Sequence, residues 1–260
     1  MRALIVQAGY FRPRVERFLQ MLAKSAPQHS INCRWDYYGQ PFRGLLIAYG
    51  TGRPDMASIV SEHLASGHPA LCWDVGYWGK TFRCAWNGQH PKTLPEGSPE
   101  RWDARGVPLR NDYDPAGPIV LVGLGPKSRH MGPNWERDTL QRIREAYPER
   151  RVIYRPKPRR DYVPLPVETD WESPIEDVLR GASLVVTRHS NVGIDACIAG
   201  VPCVAELGAP ALLYGSDLAN PRVPTEAERL GFLRRLAWLN WEDEEAMGDQ
   251  LWPWIRNNRG

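Results

Sequence analysis

Apolar and polar residues alternate along this chain in blocks that read strand, helix, strand. Ala3 to Ala8 is a short apolar run that ends at Gly9 and predicts a first strand. From Arg14 to Lys24 the apolar residues Val15, Phe18, Leu19 and Leu22 recur at helical spacing. Gly44 to Tyr49 predicts a second buried strand, closed by Gly50-Thr51-Gly52, and Pro54 to Ser66 a helix. Ala70-Leu71-Cys72-Trp73 predicts a third strand, with Asp74-Val75-Gly76-Tyr77 just beyond it. Such alternation argues for a parallel sheet covered by helices.

Residues 87–117 break the pattern. Pro91, Pro95, Pro99, Pro108 and Pro115 fall there among glycines and charges, which predicts a linker or a long loop. The alternation restarts with a strand at Pro118–Gly123, a helix at Asn134–Tyr147, a strand at Arg151–Tyr154 and a short helix at Pro174–Arg180. Residues 184–204, LVVTRHSNVGIDACIAGVPCV, carry the most information. A buried strand (Leu184, Val185, Val186) meets the polar turn Arg188-His189-Ser190-Asn191. A helix from Val192 to Ala199 follows, then Gly200, then a strand at Cys203-Val204-Ala205. Pro224 to Leu239 predicts a last long helix. The expected fold class is α/β, with two Rossmann-like domains facing a cleft. The first spans 1–110 and includes part of the Pro-rich linker 91–117; the second spans 118–235. A Trp-rich helical tail, 236–260, is expected to pack back across both.

Composition narrows the function classes. At 260 residues and 42% hydrophobic the chain can bury a substantial core. Its cysteines, at 33, 72, 84, 197 and 203, are odd in number and form no C-x-x-C pair, which predicts a reduced, cytoplasmic protein without a zinc site. No apolar stretch is long enough to span a bilayer, and no membrane partner is expected. The net charge of +3 is mild, but Arg150, Arg151, Arg155, Lys157, Arg159 and Arg160 crowd one segment against Glu149 alone. That segment is either a solvated face or a strip for a polyanion.

Three strands of the second half end in polar loops: Gly123 to Arg129, with Gly125 and Lys127; Arg155 to Arg159, with Lys157; and Arg188 to Asn191. Together they offer cations, hydroxyls and a helix N-terminus, a mixture that suits a diphosphate. The Gly-x-Gly alone is weak, because it lacks the remaining glycine of a dinucleotide fingerprint. Asp195 either favours the helix N-terminus electrostatically or accepts hydrogen bonds from ribose hydroxyls. His189 is either a phosphate donor or structural. In the first half, Asp74 is either part of an Asp-Gly turn or a general base for an acceptor hydroxyl. Asp112-Tyr113-Asp114 fits a metal-binding Asp-x-Asp literally, yet lies in the linker and reads as chance, so no metal site is expected.

Residues 184–204 resemble a motif of GT-B glycosyltransferases, closest to the capsule-polysaccharide and teichoic-acid type. The matching residues are Arg155-Pro156-Lys157-Pro158 and Ser190-Asn191…Asp195-Ala196…Gly200-Val201-Pro202, with Lys157 where that type usually has His. The resemblance implies that Ser190, Asn191 and the amides of Val192 and Gly193 hold the donor diphosphate. On it Asp195 holds the ribose, while Arg155 and Lys157 balance charge. The chain is also similar to small phage-encoded, DNA-modifying glycosyltransferases. That likeness rests on Asp74-x-Gly76-Tyr77, Trp86-Asn87-Gly88, the Ser-Asn-Val helix start and the Trp-rich tail. It implies a UDP-sugar co-substrate, no tightly bound cofactor and no essential divalent metal. Its implied acceptor is a 5-hydroxymethylpyrimidine in duplex DNA, with Tyr77, Arg129, Arg159 and Arg160 as candidate acceptor or DNA contacts; the basic stretch 150–160, Lys127 and the loop 91–117 are consistent with such a partner. A polysaccharide or small-molecule acceptor, nucleotide binding without catalysis, and nucleotide-sugar epimerisation remain the rivals.

Overall fold

A computed structural model describes residues 1–39, 42–129, 132–157 and 162–258, apart from the side chains of Pro126 and Lys127. The chain forms two compact units, one from residues 1–96 with 236–260 and one from residues 97–235.

The first unit begins with β1 (Arg2–Val6), α1 (Pro13–Ser25), β2 (Asn32–Asp36), β3 (Leu45–Tyr49), α2 (Pro54–Ala65), β4 (Ala70–Val75) and β5 (Phe82–Trp86). The second contains α3 (Glu100–Asp103), β6 (Ile119–Val122), α4 (Pro126–Arg129), α5 (Trp135–Ala146), β7 (Val152–Arg155) and β8 (Glu168–Thr169). It continues with α6 (Ile175–Leu179), β9 (Leu184–Thr187), α7 (Val192–Ala199), β10 (Cys203–Ala205) and α8 (Ala209–Tyr214). The helix α9 (Glu226–Ala237) follows, and β11 (Asn240–Trp241) and α10 (Leu251–Asn257) return to the first unit.

The sheet of the second unit has the order β10-β9-β6-β7-β8 and is parallel throughout. A parallel sheet buried on both faces needs continuous apolar strands, and Ile119–Val122 and Leu184–Thr187 are buried at every position. Helix α7 ends at Gly200, whose left-handed φ of 79° would strain a side chain; an added Cβ would also stand 2.7 Å from Arg110 O. The end of the linker is drawn in here. Arg110 N–H and Asp112 N–H donate to Ile198 O and Ala199 O, and Arg229 Nη1 donates to Cys197 O, so carbonyls left over at the helix end are paired.

The first unit has the order β11-β5-β4-β3-β1-β2, with β1 to β4 parallel, β5 antiparallel to β4, and β11 antiparallel to β5. Strand β4 runs on through Asp74 and Val75, past the expected end at Trp73, because β5 folds back and pairs with it. The tail 236–260 completes this unit. Its β11 extends the sheet, and Trp252, fully buried, donates its indole N–H to Leu22 O (3.0 Å) and Ser25 Oγ (3.1 Å). Asp243, almost buried, accepts from Arg14 (2.6 Å) and Arg17 (3.0 Å) of α1. Among the described residues no helix is long and apolar enough to cross a membrane.

Trp252 therefore fastens the end of the chain to α1. Replacing it with Ala removes both the packing and the indole bonds, and is expected to cost about 3–5 kcal/mol, read as a lowered urea midpoint of unfolding.

Candidate functional site

In the second sheet the crossovers leave β6 and β9 in opposite directions, since β6 leads to β7 on one side and β9 to β10 on the other. Ligands of open α/β sheets bind at such a switch point, outside the carboxyl ends of the strands. Here those ends carry Gly123-Leu124-Gly125 and Arg188-His189-Ser190-Asn191, with the β7 loop beside the first. Three of the sequence-predicted loops are thus neighbours.

Arg188 spans the switch. Its Nη1 donates to Ser128 O in the α4 turn (3.2 Å), and Glu206 Oε2 stands 3.9 Å from its Nε. That Nε is buried and has no hydrogen-bond partner. A largely buried guanidinium with an unused donor is costly unless an acceptor arrives, and an anionic oxygen is the strongest acceptor it can meet. Lys157 reaches the same loop: a Cβ placed on Gly125 would lie 3.5 Å from its Nζ. Ser190 Oγ accepts from Val192 N–H (3.3 Å), and Ser190 N–H donates to Thr187 Oγ1 (3.1 Å). Asn191 is the N-cap residue of α7, and His189 and Val192 lie half-buried beside it.

Several expectations change in this setting. The amides of Val192 and Gly193 were expected to hold a diphosphate. Instead Val192 N–H goes to Ser190 Oγ, Gly193 N–H to Ser190 O (3.1 Å) and Ile194 N–H to Asn191 O (2.7 Å). Gly193 is glycine for packing: a Cβ there would sit 2.6 Å from Pro210, where α7 meets α8. Gly123 is glycine because Tyr154 Oη would stand 2.7 Å from its Cβ. Arg155 turns to its own neighbourhood, donating to Asp170 Oδ1 (3.1 Å) and Ser173 O (2.6 Å) and fixing the loop after β8. Arg129 donates to Leu124 O (3.0 Å) and to the buried Glu136 (3.3 Å). The side chain of Lys127, and Pro158, Arg159 and Arg160 altogether, lie outside the described residues.

Asp195 sits on α7, half-buried. Burial, reinforced by the like charge of Glu176 and opposed by Arg110, pushes its carboxyl up to about 6. In the first unit Asp74 stands at the carboxyl end of β4, where Arg83 Nη2 reaches its Oδ2 at 3.4 Å. Tyr49, at the end of β3, is pushed up to about 12 by burial and by the charge of Asp74. Tyr77 is buried and lies under the Arg83 guanidinium, 5.1 Å from its centre. The Asp-x-Gly-Tyr turn is a tight hairpin, since a Cβ on Gly76 would overlap Thr81 Oγ1. Asn87 of Trp-Asn-Gly, with φ 57°, accepts from Ala70 N–H (3.0 Å) and closes the other end of the same hairpin. Among the described residues no three His, Cys, Asp or Glu side chains are grouped to hold a metal. Asp112 pairs with Arg110 (2.8 Å), and Asp114 Oδ1 accepts from Ala116 N–H.

Glu136, Asp170, Glu206 and Arg83 do not stand out in the sequence. Each is an ordinary surface-type residue in the sequence, and only tertiary contact shows that it orients a neighbour.

No protein-family model matches the chain, and no curated protein matches it in sequence. Two solved structures from Thermosulfurimonas dismutans share its fold. The KpsC beta Kdo 2,7 transferase superposes with a TM-score of 0.57 at 15% identity over 99% of each chain. The KpsC beta Kdo 2,4 transferase gives 0.54 at 14% identity over 89% of each chain. The GT-B-like α/β fold expected from residues 184–204 is the fold these structures carry.

The raised Asp195 has a consequence for stability. Above pH 6 it is ionised in the folded and unfolded chain alike, and the folded state bears the cost of the buried charge. That cost disappears as pH falls through about 6 towards the unfolded value near 4. Asp195→Asn is therefore expected to stabilise the protein at pH 8 by about 1–3 kcal/mol, each pKa unit being about 1.4 kcal/mol. The gain should vanish at pH 4; thermal melts at the two pH values measure it.

Proposed function

We propose that this protein is a glycosyltransferase that moves a sugar from a nucleotide sugar to a hydroxyl acceptor. The observation that carries the proposal is Arg188, a largely buried guanidinium whose buried Nε has no hydrogen-bond partner, at the switch point of a doubly wound sheet. The fold shared with two Kdo transferases supports the same chemistry.

On this reading the donor lies along Gly125, Lys157, the turn Arg188–Asn191 and the first residues of α7, Val192 and Gly193, with Asp195 taking the ribose hydroxyls. Arg155 acts one step back, holding the loop beside Lys157. Asp74 accepts the proton of the acceptor hydroxyl. The acceptor oxygen then bonds to the anomeric carbon as the bond to the nucleotide phosphate breaks, and the diphosphate departs with the electron pair. Arg188, Lys157 and the positive end of α7 stabilise that charge. The departing charge is thereby met without a divalent metal.

For the acceptor we propose a 5-hydroxymethylpyrimidine of duplex DNA, and for the donor UDP-glucose or a similar sugar, on the strength of the phage-type sequence likeness. A base in a duplex would have to leave the stack to react. A saccharide hydroxyl is the second reading. It is favoured because basic residues that could track DNA are already engaged: Arg129 with Glu136, Arg151 with Glu168 and Arg155 with Asp170.

The decisive assay incubates the protein with UDP-glucose and other nucleotide sugars. Each is offered duplex DNA containing 5-hydroxymethylcytosine, 5-hydroxymethyluracil or neither, and in parallel an oligosaccharide. Masses of the digested nucleosides and of the oligosaccharide report transfer. A hexose-sized gain on the hydroxymethylated bases alone supports the DNA acceptor; a gain on the oligosaccharide moves the acceptor to the second reading. No gain on anything, with no nucleoside diphosphate released, would overturn the proposal.

Two variants separate the roles. Asp74→Asn is expected to lower turnover by about 100-fold or more while leaving UDP affinity unchanged by calorimetry. Arg188→Ala is expected to weaken UDP binding by about tenfold, the loss of one charge-assisted hydrogen bond. If Asp74→Asn kept full turnover, the proton acceptor would have to be sought elsewhere.

A further inference from the structure

The first unit holds a cavity of about 380 Å³ near the end of β5. Trp86, Asn87, Pro91, Lys92, Trp254 and Asn258 are among its walls. It lies beside the start of β4, because Asn87 N–H donates to Ala70 O (2.8 Å); Asp74 stands at the other end of that strand. The cavity is therefore remote from Asp74.

Its chemistry is specific. The indole nitrogens of Trp86 and Trp254 are both buried, and neither has a hydrogen-bond partner. The partly buried amides at the rim are each half used. Asn87 Oδ1 accepts from Ala70 N–H, which leaves its NH₂ group; Asn258 Nδ2 donates to Trp254 O, which leaves its carbonyl oxygen. Pro91 and the two indoles supply flat apolar walls, and Lys92 stands exposed at the mouth. The Trp254 ring is itself braced by Trp241, 5.4 Å away centre to centre.

We propose that this cavity is a saccharide-binding site, separate from the transfer chemistry. A sugar ring presents an apolar C–H face for an indole and a rim of hydroxyls that both donate and accept. Its hydroxyls match the Asn87 donor and the Asn258 acceptor at once. A nucleotide fits poorly, because Lys92 is the one cation among the described lining residues. A purely apolar ligand would cover the two amide groups without pairing them. The volume stands near the lower end of the range for small-molecule sites, roughly 300–1,000 Å³, which suits a short stretch of glycan.

The full chain, labelled with ¹⁵N, is titrated with maltotriose, cellotriose and chitotriose, and separately with an unmodified DNA duplex, while the indole N–H signals are followed. Trp86→Phe and Trp254→Phe each delete one signal and so assign it. The expected result is a saturable shift of both signals with at least one trisaccharide and none with DNA. Each Phe variant should weaken that binding about tenfold. Lys92→Ala, an exposed change that preserves the fold, should weaken it less. Asp74→Asn should bind as tightly as the parent, whether or not transfer is ever detected. The assignment is overturned if no saccharide moves either signal, if DNA moves both, or if Asp74→Asn abolishes the shifts, which would place the sugar at the transfer centre.

Discussion

One buried carboxylate fixes the geometry of the second unit. Glu136, wholly out of solvent near the start of α5, gathers Leu124 N–H (3.0 Å), Arg129 Nη2 (3.3 Å) and Tyr154 Oη (3.3 Å) on a single oxygen. These come from the loop after β6, from α4 and from β7. Removing such an acid would take the counter-charge from a partly buried guanidinium and leave the Leu124 amide without its acceptor, which is the costly way to break a buried pair. The placement at a helix N-terminus offsets part of the desolvation. The switch point depends on this loop holding still, because Arg188 reaches across to Ser128 in the turn that the carboxylate anchors.

The parts of the fold that were legible in the sequence are those whose burial is continuous. Leu45–Tyr49, Ile119–Val122 and Leu184–Thr187 read as strands because both faces of a parallel sheet are covered. Four strands were missed for one reason. Asn32–Asp36 lies at a sheet edge and exposes alternate residues, Phe82–Trp86 is interrupted by Arg83, and Glu168–Thr169 and Asn240–Trp241 are only two residues long. Each owes its conformation to a neighbour, and periodicity cannot register a neighbour.

The site divides along the same line. That three polar loops converge followed from strand order, and strand order followed from alternation. What each side chain does there was not legible. Two of the glycines in the motif stretches answer to packing, Gly123 under Tyr154 and Gly193 against Pro210. Arg129 and Arg155, identical in sequence to cations that grip phosphate, are spent on Glu136 and Asp170. A guanidinium has five donors, and nothing local in the chain says whether the surroundings will use them.

The first unit is discontinuous: residues 236–260 complete what residues 1–96 begin. The ribosome therefore finishes the two units in the reverse of the order in which it starts them. Residues 97–235 form a contiguous unit whose last residue is made before the tail. Until the tail is made, the strand edge at β5 is unpaired, α1 lacks Trp252, and Arg14 and Arg17 lack Asp243. Domains that fold in sequence usually begin at the amino terminus; in this chain the amino-terminal half is the one that has to wait.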